Sequence, residues 1–192
     1  MSLLNVPRLI LASASPRRAA LLSQIGMTFE VYPSNIQEAE HQHDTSPEVV
    51  TQRLASLKAR TVAERYTDGI VIGADTLVAF DNELLGKPDN DEHAKQILLR
   101  LSGKCHNVVT GVSLFNLKKG KEKTWAEVTK VYFRNLQQTE IEHYIKSGET
   151  SDKAGAYGIQ GKGAAFVQRI DGCYFNVVGL PLASLVEQLM DF

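Results

Sequence analysis

Ser13, Ser15, Arg17 and Arg18 stand where an apolar run, Leu9-Ile10-Leu11-Ala12, gives way to Ser-Ala-Ser-Pro-Arg-Arg. Hydroxyls, a proline and two guanidiniums in that order suit an anion. Ser15 is a good helix N-cap, and Pro16 suits the first helical position, where a missing N–H costs nothing. The free N–H groups of a first helical turn carry partial positive charge, and the planar forks of Arg17 and Arg18 match phosphate oxygens. The plainer reading of this segment is an ordinary strand-to-helix turn with two solvated arginines. Further along come Glu38 in a polar stretch, Lys58 among other basic residues, Asp75-Thr76 after a β-branched run, and Lys87 in Gly86-Lys87-Pro88. Gln160 follows, among Gly155, Gly158, Gly161 and Gly163. Hydrolysis of a nucleoside triphosphate needs cations to hold phosphates, a carboxylate to bind Mg²⁺ or orient water, and a neutral surface to read a base. Singly each residue has a plain explanation, since helix lysines are mostly solvated and an aspartate after a strand often begins a turn. Together they make the set that this chemistry requires.

Positioning these groups falls to elements that the residue pattern defines. Residues 9–12 predict a strand, 16–24 a helix ending at Gly26, and 28–32 a second strand. Residues 33–46 read as an exposed loop carrying Glu38 and Glu40. Ser46-Pro47 opens a helix to about Arg65, whose apolar positions 49, 50, 54, 57 and 62 leave Arg53, Lys58 and Arg60 off the buried stripe. The run 69–74 suits burial on both faces, so Asp75-Thr76 is expected at a strand's end before 77–80 resume. Asp81-Asn82 predicts a turn, and 91–101 a helix closed by Ser102-Gly103. Residues 106–115 and 123–133 predict a long hairpin about Lys118-Lys119-Gly120, with Trp125, Val131 and Phe133 on one face. Thr139-Glu140-Ile141-Glu142 reads as a capping box opening a helix to about Lys146. Residues 164–170 and 173–178 flank Asp171-Gly172 and predict a second hairpin, and Pro181 begins a last helix that buries Leu182, Leu185, Val186 and Leu189. Alternating helices and strands early, with hairpins late, predict an α/β fold with a long mixed sheet, flanking helices and a central cleft.

The bulk properties narrow the partners. At 192 residues and 43% hydrophobic content the chain can bury a substantial core, most simply as one domain over 1–192 with two lobes. Lys plus Arg number 21 against 22 Asp plus Glu, for a net charge of −1, so nothing suggests wrapping nucleic acid or lying on an anionic membrane. The run 9–12 is too short to span a bilayer and lacks the layout of a secretory signal, which makes the cytoplasm the expected address. Cys105 and Cys173 show no Cys-x-x-Cys spacing and are expected as small core or near-core residues.

Several motifs are excluded. None of the Gly-Lys pairs at 86–87, 103–104, 120–121 and 161–162 has a glycine five residues ahead, and the residues that follow are Pro88, Cys105, Glu122 and Gly163. A P-loop needs both. The late glycines run Gly-x-x-Gly-x-Gly after a polar stretch rather than a strand, which argues against a dinucleotide fold. His41-x-His43 stands without a His-Glu-x-x-His, so zinc is not implied.

Seven segments in order resemble the Maf-type nucleotide pyrophosphatases. They are Ala12 to Arg18, Arg53-Leu54-Ala55 through Lys58-Ala59, Gly73-Ala74-Asp75-Thr76, Gly86-Lys87-Pro88, Leu101-Ser102-Gly103 through Thr110-Gly111, Asp152 to Gly161, and Val178-Gly179-Leu180-Pro181. The resemblance implies an elongated sheet distantly similar to the inosine triphosphate pyrophosphatases, and hydrolysis of a nucleoside triphosphate to the monophosphate and pyrophosphate. It implies Asp75 as proton acceptor or metal-linked water holder, with Glu38 a further acidic group, and Mg²⁺ or Mn²⁺ as cofactor. Lys58 and Lys87 would join Ser13, Ser15 and Arg18 on the triphosphate. Ser-Pro-Arg-Arg, Ala-Asp-Thr and Gly-Ile-Gln-Gly are similar to the dTTP and UTP branch, which implies that Arg17, Thr76 and Gln160 set base choice. The branch acting on 7-methyl-GTP has a bulky aromatic in place of the first arginine. A homodimer is also implied.

The physics agrees with that assignment, because Gln160 both donates and accepts and so pairs with the O4 and N3–H edge of uracil or thymine. Water attack on the α-phosphorus with pyrophosphate leaving needs no covalent intermediate. A pocket tolerant at C5 would extend to modified uridine triphosphates. The rival expectation is a nucleotide-binding regulator of cell division without relevant hydrolysis, for which a water-activating Asp75 would be superfluous. A single-stranded nucleic-acid binder would want aromatics along a basic groove, and only Tyr157 qualifies.

Overall fold

A computed structural model describes residues 7–36 and 46–192, so Glu38 and the polar stretch around it lie outside the described residues. The elements run β1 (Leu9–Leu11), α1 (Pro16–Gln24), β2 (Phe29–Val31), α2 (Pro47–Ala63), β3 (Ile70–Phe80), β4 (Glu83–Leu85) and α3 (Asp91–Leu101). They continue with β5 (Cys105–Asn116), β6 (Lys121–Phe133), α4 (Gln138–Ile145), β7 (Val167–Asp171), α5 (Tyr174–Val178) and α6 (Leu182–Met190). The strands form a mixed sheet in the order β2-β1-β3-β5-β6-β7, with β4 on β3, and the helices flank it. This is the α/β class that the residue pattern predicts.

The chain divides into two compact units. The first comprises residues 1–75, 110–127 and 179–192. Here β1 pairs in parallel with β2 and with β3. Ile10 and Ala12 pack with Val71 against Ala59, Val62 and Ala63 of α2. Helix α2 begins as expected, the Ser46 hydroxyl accepting the Val49 N–H at 3.3 Å ahead of Pro47. Its buried face differs from the expected stripe, because Val49 and Leu57 are 53% and 45% exposed. The reason is Gly73 and Gly111: a Cβ there would lie 2.1 Å from the Ala55 carbonyl oxygen and 2.2 Å from the Thr51 carbonyl carbon. The helix backbone therefore rests almost directly on the strands, and small alanines line the contact.

The second unit comprises residues 76–109 and 128–178. Its core joins Ile97, Leu98 and Leu101 of α3 with Val131, Phe133, Ile141, Tyr144, Tyr157 and Phe166. The Asp81-Asn82 turn is as expected, both residues taking positive φ (50° and 63°), as a two-residue hairpin turn between β3 and β4 requires.

Four expectations are corrected. Asp75 does not end a strand, because β3 continues through it to Phe80, and Lys58 satisfies the carboxylate that would otherwise stop the strand. The segment 173–178 is helical rather than the second arm of a hairpin. Gly172 at φ +124° turns the chain, the Thr129 hydroxyl donates to the Cys173 carbonyl, and the Asn176 amide donates to the Val108 carbonyl and the Thr129 hydroxyl. β7 pairs antiparallel with β6 instead. The capping box is Gln137 with Glu140, not Thr139 with Glu142, since Arg134 grips the Glu140 carboxylate. Cys105 is exposed and Cys173 half-buried, because alternation along β5 sends His106 inward and Cys105 out.

Candidate active site

Strand β1 leads through α1 to β2 on one side, while β3 lies on its other side. In open α/β sheets such a divergence at a strand's carboxyl end is where ligands bind. Register places Leu11 opposite Ile72, and the Ala12 N–H donates to the Ile72 carbonyl at 2.8 Å. Ser13 therefore leaves β1 alongside β3 shortly before Asp75.

The turn after β1 gathers two hydroxyls, a helix start and a guanidinium. The Ser15 hydroxyl accepts the Arg18 N–H at 3.5 Å as N-cap of α1, and Pro16 occupies the first turn. The buried Ser13 hydroxyl accepts the Ser15 N–H at 3.2 Å and an Arg18 guanidinium N–H at 3.1 Å. Arg18 Nε donates to the Gly179 carbonyl at 2.8 Å. Ser13, Ser15 and Arg18 thus form one hydrogen-bonded group, with Arg17 half-buried beside them in the sequence. The sequence assigns Gly179 no role beyond the resemblance carried by Val178-Gly179-Leu180-Pro181, because its contact with Arg18 spans 161 positions.

The second group is Lys58 with Asp75. Alternation along β3 puts Val71, Gly73 and Asp75 on the face that meets α2 and turns Thr76 to the opposite face. With no side chain at Gly73 to hold α2 away, the Lys58 ammonium donates to Asp75 Oδ1 at 2.6 Å. Their side chains are only 12% and 8% exposed. The expectation that Lys58 sits off the buried stripe is corrected here, because its aliphatic stem runs in toward β3.

Lys87 and Gln160 belong to the second unit, both exposed, and Thr76 begins that unit half-buried. The Gly155 N–H donates to the Gly86 carbonyl at 3.0 Å, which ties the Lys87 loop to the stretch leading to Gln160. Among the described residues no group of three or more His, Cys, Asp or Glu is arranged to hold a metal. Asp75 alone is a donor set of the kind Mg²⁺ accepts, since that ion is bound by one or two carboxylates with waters and substrate phosphates. No helix among the described residues is long and apolar enough to cross a membrane.

A family model described as Maf, Maf-like protein, matches residues 8–192. The chain belongs to the Maf family. A relative from Syntrophus aciditrophicus, named dTTP/UTP pyrophosphatase, is 48% identical over 96% of this chain and 89% of its own length. One of the same name from Carboxydothermus hydrogenoformans is 48% identical over 96% of this chain and 98% of its own. Among solved structures, a nucleoside-triphosphatase / dITP/XTP pyrophosphatase from Mycobacterium abscessus aligns over 67% of this chain and 75% of its own. That alignment has a TM-score of 0.43 and 17% identity, a partial overlap. Both groups in the first unit fall on segments that carry the sequence resemblance: the hydroxyl and guanidinium group on Ala12 to Arg18, and the ion pair on Arg53 to Ala59 with Gly73 to Thr76.

Proposed function

We propose that this Maf chain hydrolyses dTTP and UTP, with modified uridine triphosphates, to the nucleoside monophosphate and pyrophosphate. The observation that carries the reading is the buried Lys58–Asp75 pair, next in register to a hydroxyl- and arginine-lined helix start. The names of the 48%-identical relatives point to the same substrates.

Ser13, Ser15 and Arg18, with the N-terminal N–H groups of α1, hold phosphate oxygens, and Lys58 and Lys87 neutralise charge that moves onto the leaving pyrophosphate. Asp75 orients a water and takes its proton as the water oxygen bonds to the α-phosphorus and the bond from that phosphorus to the β-bridging oxygen breaks. Asp75, with Glu38 as a further acidic group, would hold Mg²⁺ or Mn²⁺ beside the substrate's phosphates, and the ion would supply Lewis acidity to the phosphoryl oxygens. Gln160 hydrogen-bonds the O4 and N3–H edge of the pyrimidine, with Arg17 and Thr76 also setting base choice.

The test is a panel of nucleoside triphosphates with Mg²⁺, resolving pyrophosphate from orthophosphate. Pyrophosphate from dTTP and UTP, with little from ATP, GTP or CTP, is expected. Asp75→Asn should cut kcat by about 10²-fold or more. Orthophosphate as the product, or near-normal turnover by Asp75→Asn, would overturn the mechanism.

A further inference from the structure

Gln160 sits at the tip of a tight turn. The Gly161 N–H donates to the Gly158 carbonyl at 3.3 Å, which makes Ile159 and Gln160 the two central residues. Side chains from outside the turn grip its backbone on both sides. Before the tip, the Gly158 N–H donates to the Tyr144 hydroxyl at 3.0 Å. Buried Tyr157 has its hydroxyl 2.8 Å from His106 Nε2, with Phe133 packed edge-on against its ring. After the tip, the Lys162 N–H donates to the Glu149 carboxylate at 3.0 Å. Gly163 closes the loop, because a Cβ there would stand 2.8 Å from the Gly158 carbonyl oxygen and 2.9 Å from the Tyr144 hydroxyl. Ala156, wholly buried, is held at φ 59°. A left-handed alanine is strained and persists only where its surroundings over-determine it.

This construction bears on a weakness in amide-based base reading. The Gln160 side chain carries a donor and an acceptor, and turning the amide over exchanges them. It can therefore match the reversed pattern of cytosine as well as that of uracil, provided the chain that bears it can adjust. Discrimination depends on denying that adjustment, so that the wrong base leaves polar groups unpaired.

We infer that Tyr144, Glu149 and Tyr157 are positioning residues that hold the 158–161 turn in one conformation and thereby set how sharply Gln160 separates uracil from cytosine. The inference rests on Gln160 reading the base, as proposed above. None of the three needs to touch the substrate. Their effect reaches it through the backbone on either side of Gln160.

The experiment compares kcat/KM for UTP and CTP in the full chain, its Gln160→Ala variant, Tyr144→Phe and Glu149→Ala. Tyr144→Phe keeps the buried ring and removes only the hydroxyl, while Glu149 is half-buried, so its loss leaves the core intact. The UTP-to-CTP ratio should fall about tenfold in each positioning variant, the scale of one lost hydrogen bond, mainly through a higher KM for UTP. Backbone amides of 158–162 should exchange hydrogen faster in both. A lowered ratio in Gln160→Ala beside wild-type ratios in both positioning variants overturns the inference alone. A wild-type ratio in Gln160→Ala overturns the base-reading role and this inference with it.

Discussion

His106 is a buried imidazole, its Nε2 on the Tyr157 hydroxyl and its Nδ1 with no hydrogen-bond partner among the described residues. Burial pushes its pKa down from the ordinary 6.5 to about 4. The folded value lies below the unfolded one, so the unfolded chain takes up the proton first as pH falls. Stability is therefore undiminished above about pH 6.5 and declines between there and pH 4, by about 3 kcal/mol from this residue. Urea unfolding at pH 7, 5.5 and 4.5 should show a steeper loss in the wild type than in His106→Gln, and equal slopes would discard the effect. The pair also shows what a sequence hides at this scale. Alternation along residues 105–116 turns His106 inward, but nothing local marks a partner 51 positions away. The Ser15 cap on Arg18 was legible because its two members stand three residues apart. Lys58 and Asp75 were each legible by type and segment, yet their contact was not, since it depends on how α2 lies on β3.

Helix α2 lies on β3 and β5 with glycine backbone beneath it, and that seating decides where Lys58 ends. Gly73→Ala would drive a methyl into the Ala55 carbonyl, the Ala59 N–H and the Ala59 methyl together. Backbone on both sides cannot move aside cheaply, so the cost should be about 3 kcal/mol, at the upper end for overpacking. Gly86→Ala, with nothing within 4 Å of its added methyl, is the comparison and should change stability little. Denaturant midpoints of the two variants measure the difference; equal midpoints would mean that α2 is not seated on the glycine. Helix starts and the α/β alternation were readable from caps, prolines and periodicity, because those signals are local. The helical form of 173–178 is not legible in the sequence because its apolar residues, Tyr174, Phe175, Val177 and Val178, suit a strand as well as a helix. What decides its helical form is the Asn176 amide bonded to Val108 and Thr129. Glu140 likewise answers to Arg134, whose hydrogen bonds, with that from the Gln137 N–H, bring its pKa down to about 2.

With a net charge of −1, the molecule as a whole offers a polyanion no general attraction, so the proposed binding relies on local cations and N–H groups such as those at the start of α1. A ligand that binds only the folded state stabilises it by mass action. A dTTP analogue blocked at the α–β bridge, at about 100 times its Kd with Mg²⁺, should add about 2.7 kcal/mol and raise Tm by roughly 5–10 °C. Replacing Mg²⁺ by EDTA should remove most of that gain if a cation bridges Asp75 and the phosphates. An undiminished gain would count against a metal there. Fold class and family were legible along nearly the whole chain, whereas Glu38 lies outside the described residues and its role stays a proposal.

The hydrogen bond from Gly155 to the Gly86 carbonyl carries a lesson for protein engineering. Grafting 154–163 into another Maf chain would move Gln160 without the backbone that supports its loop. The smallest portable cassette is discontinuous, and if Gln160 reads the base as proposed, a chimera exchanging both 84–88 and 144–163, which includes Tyr144 and Glu149, should transfer substrate preference where either exchange alone does not.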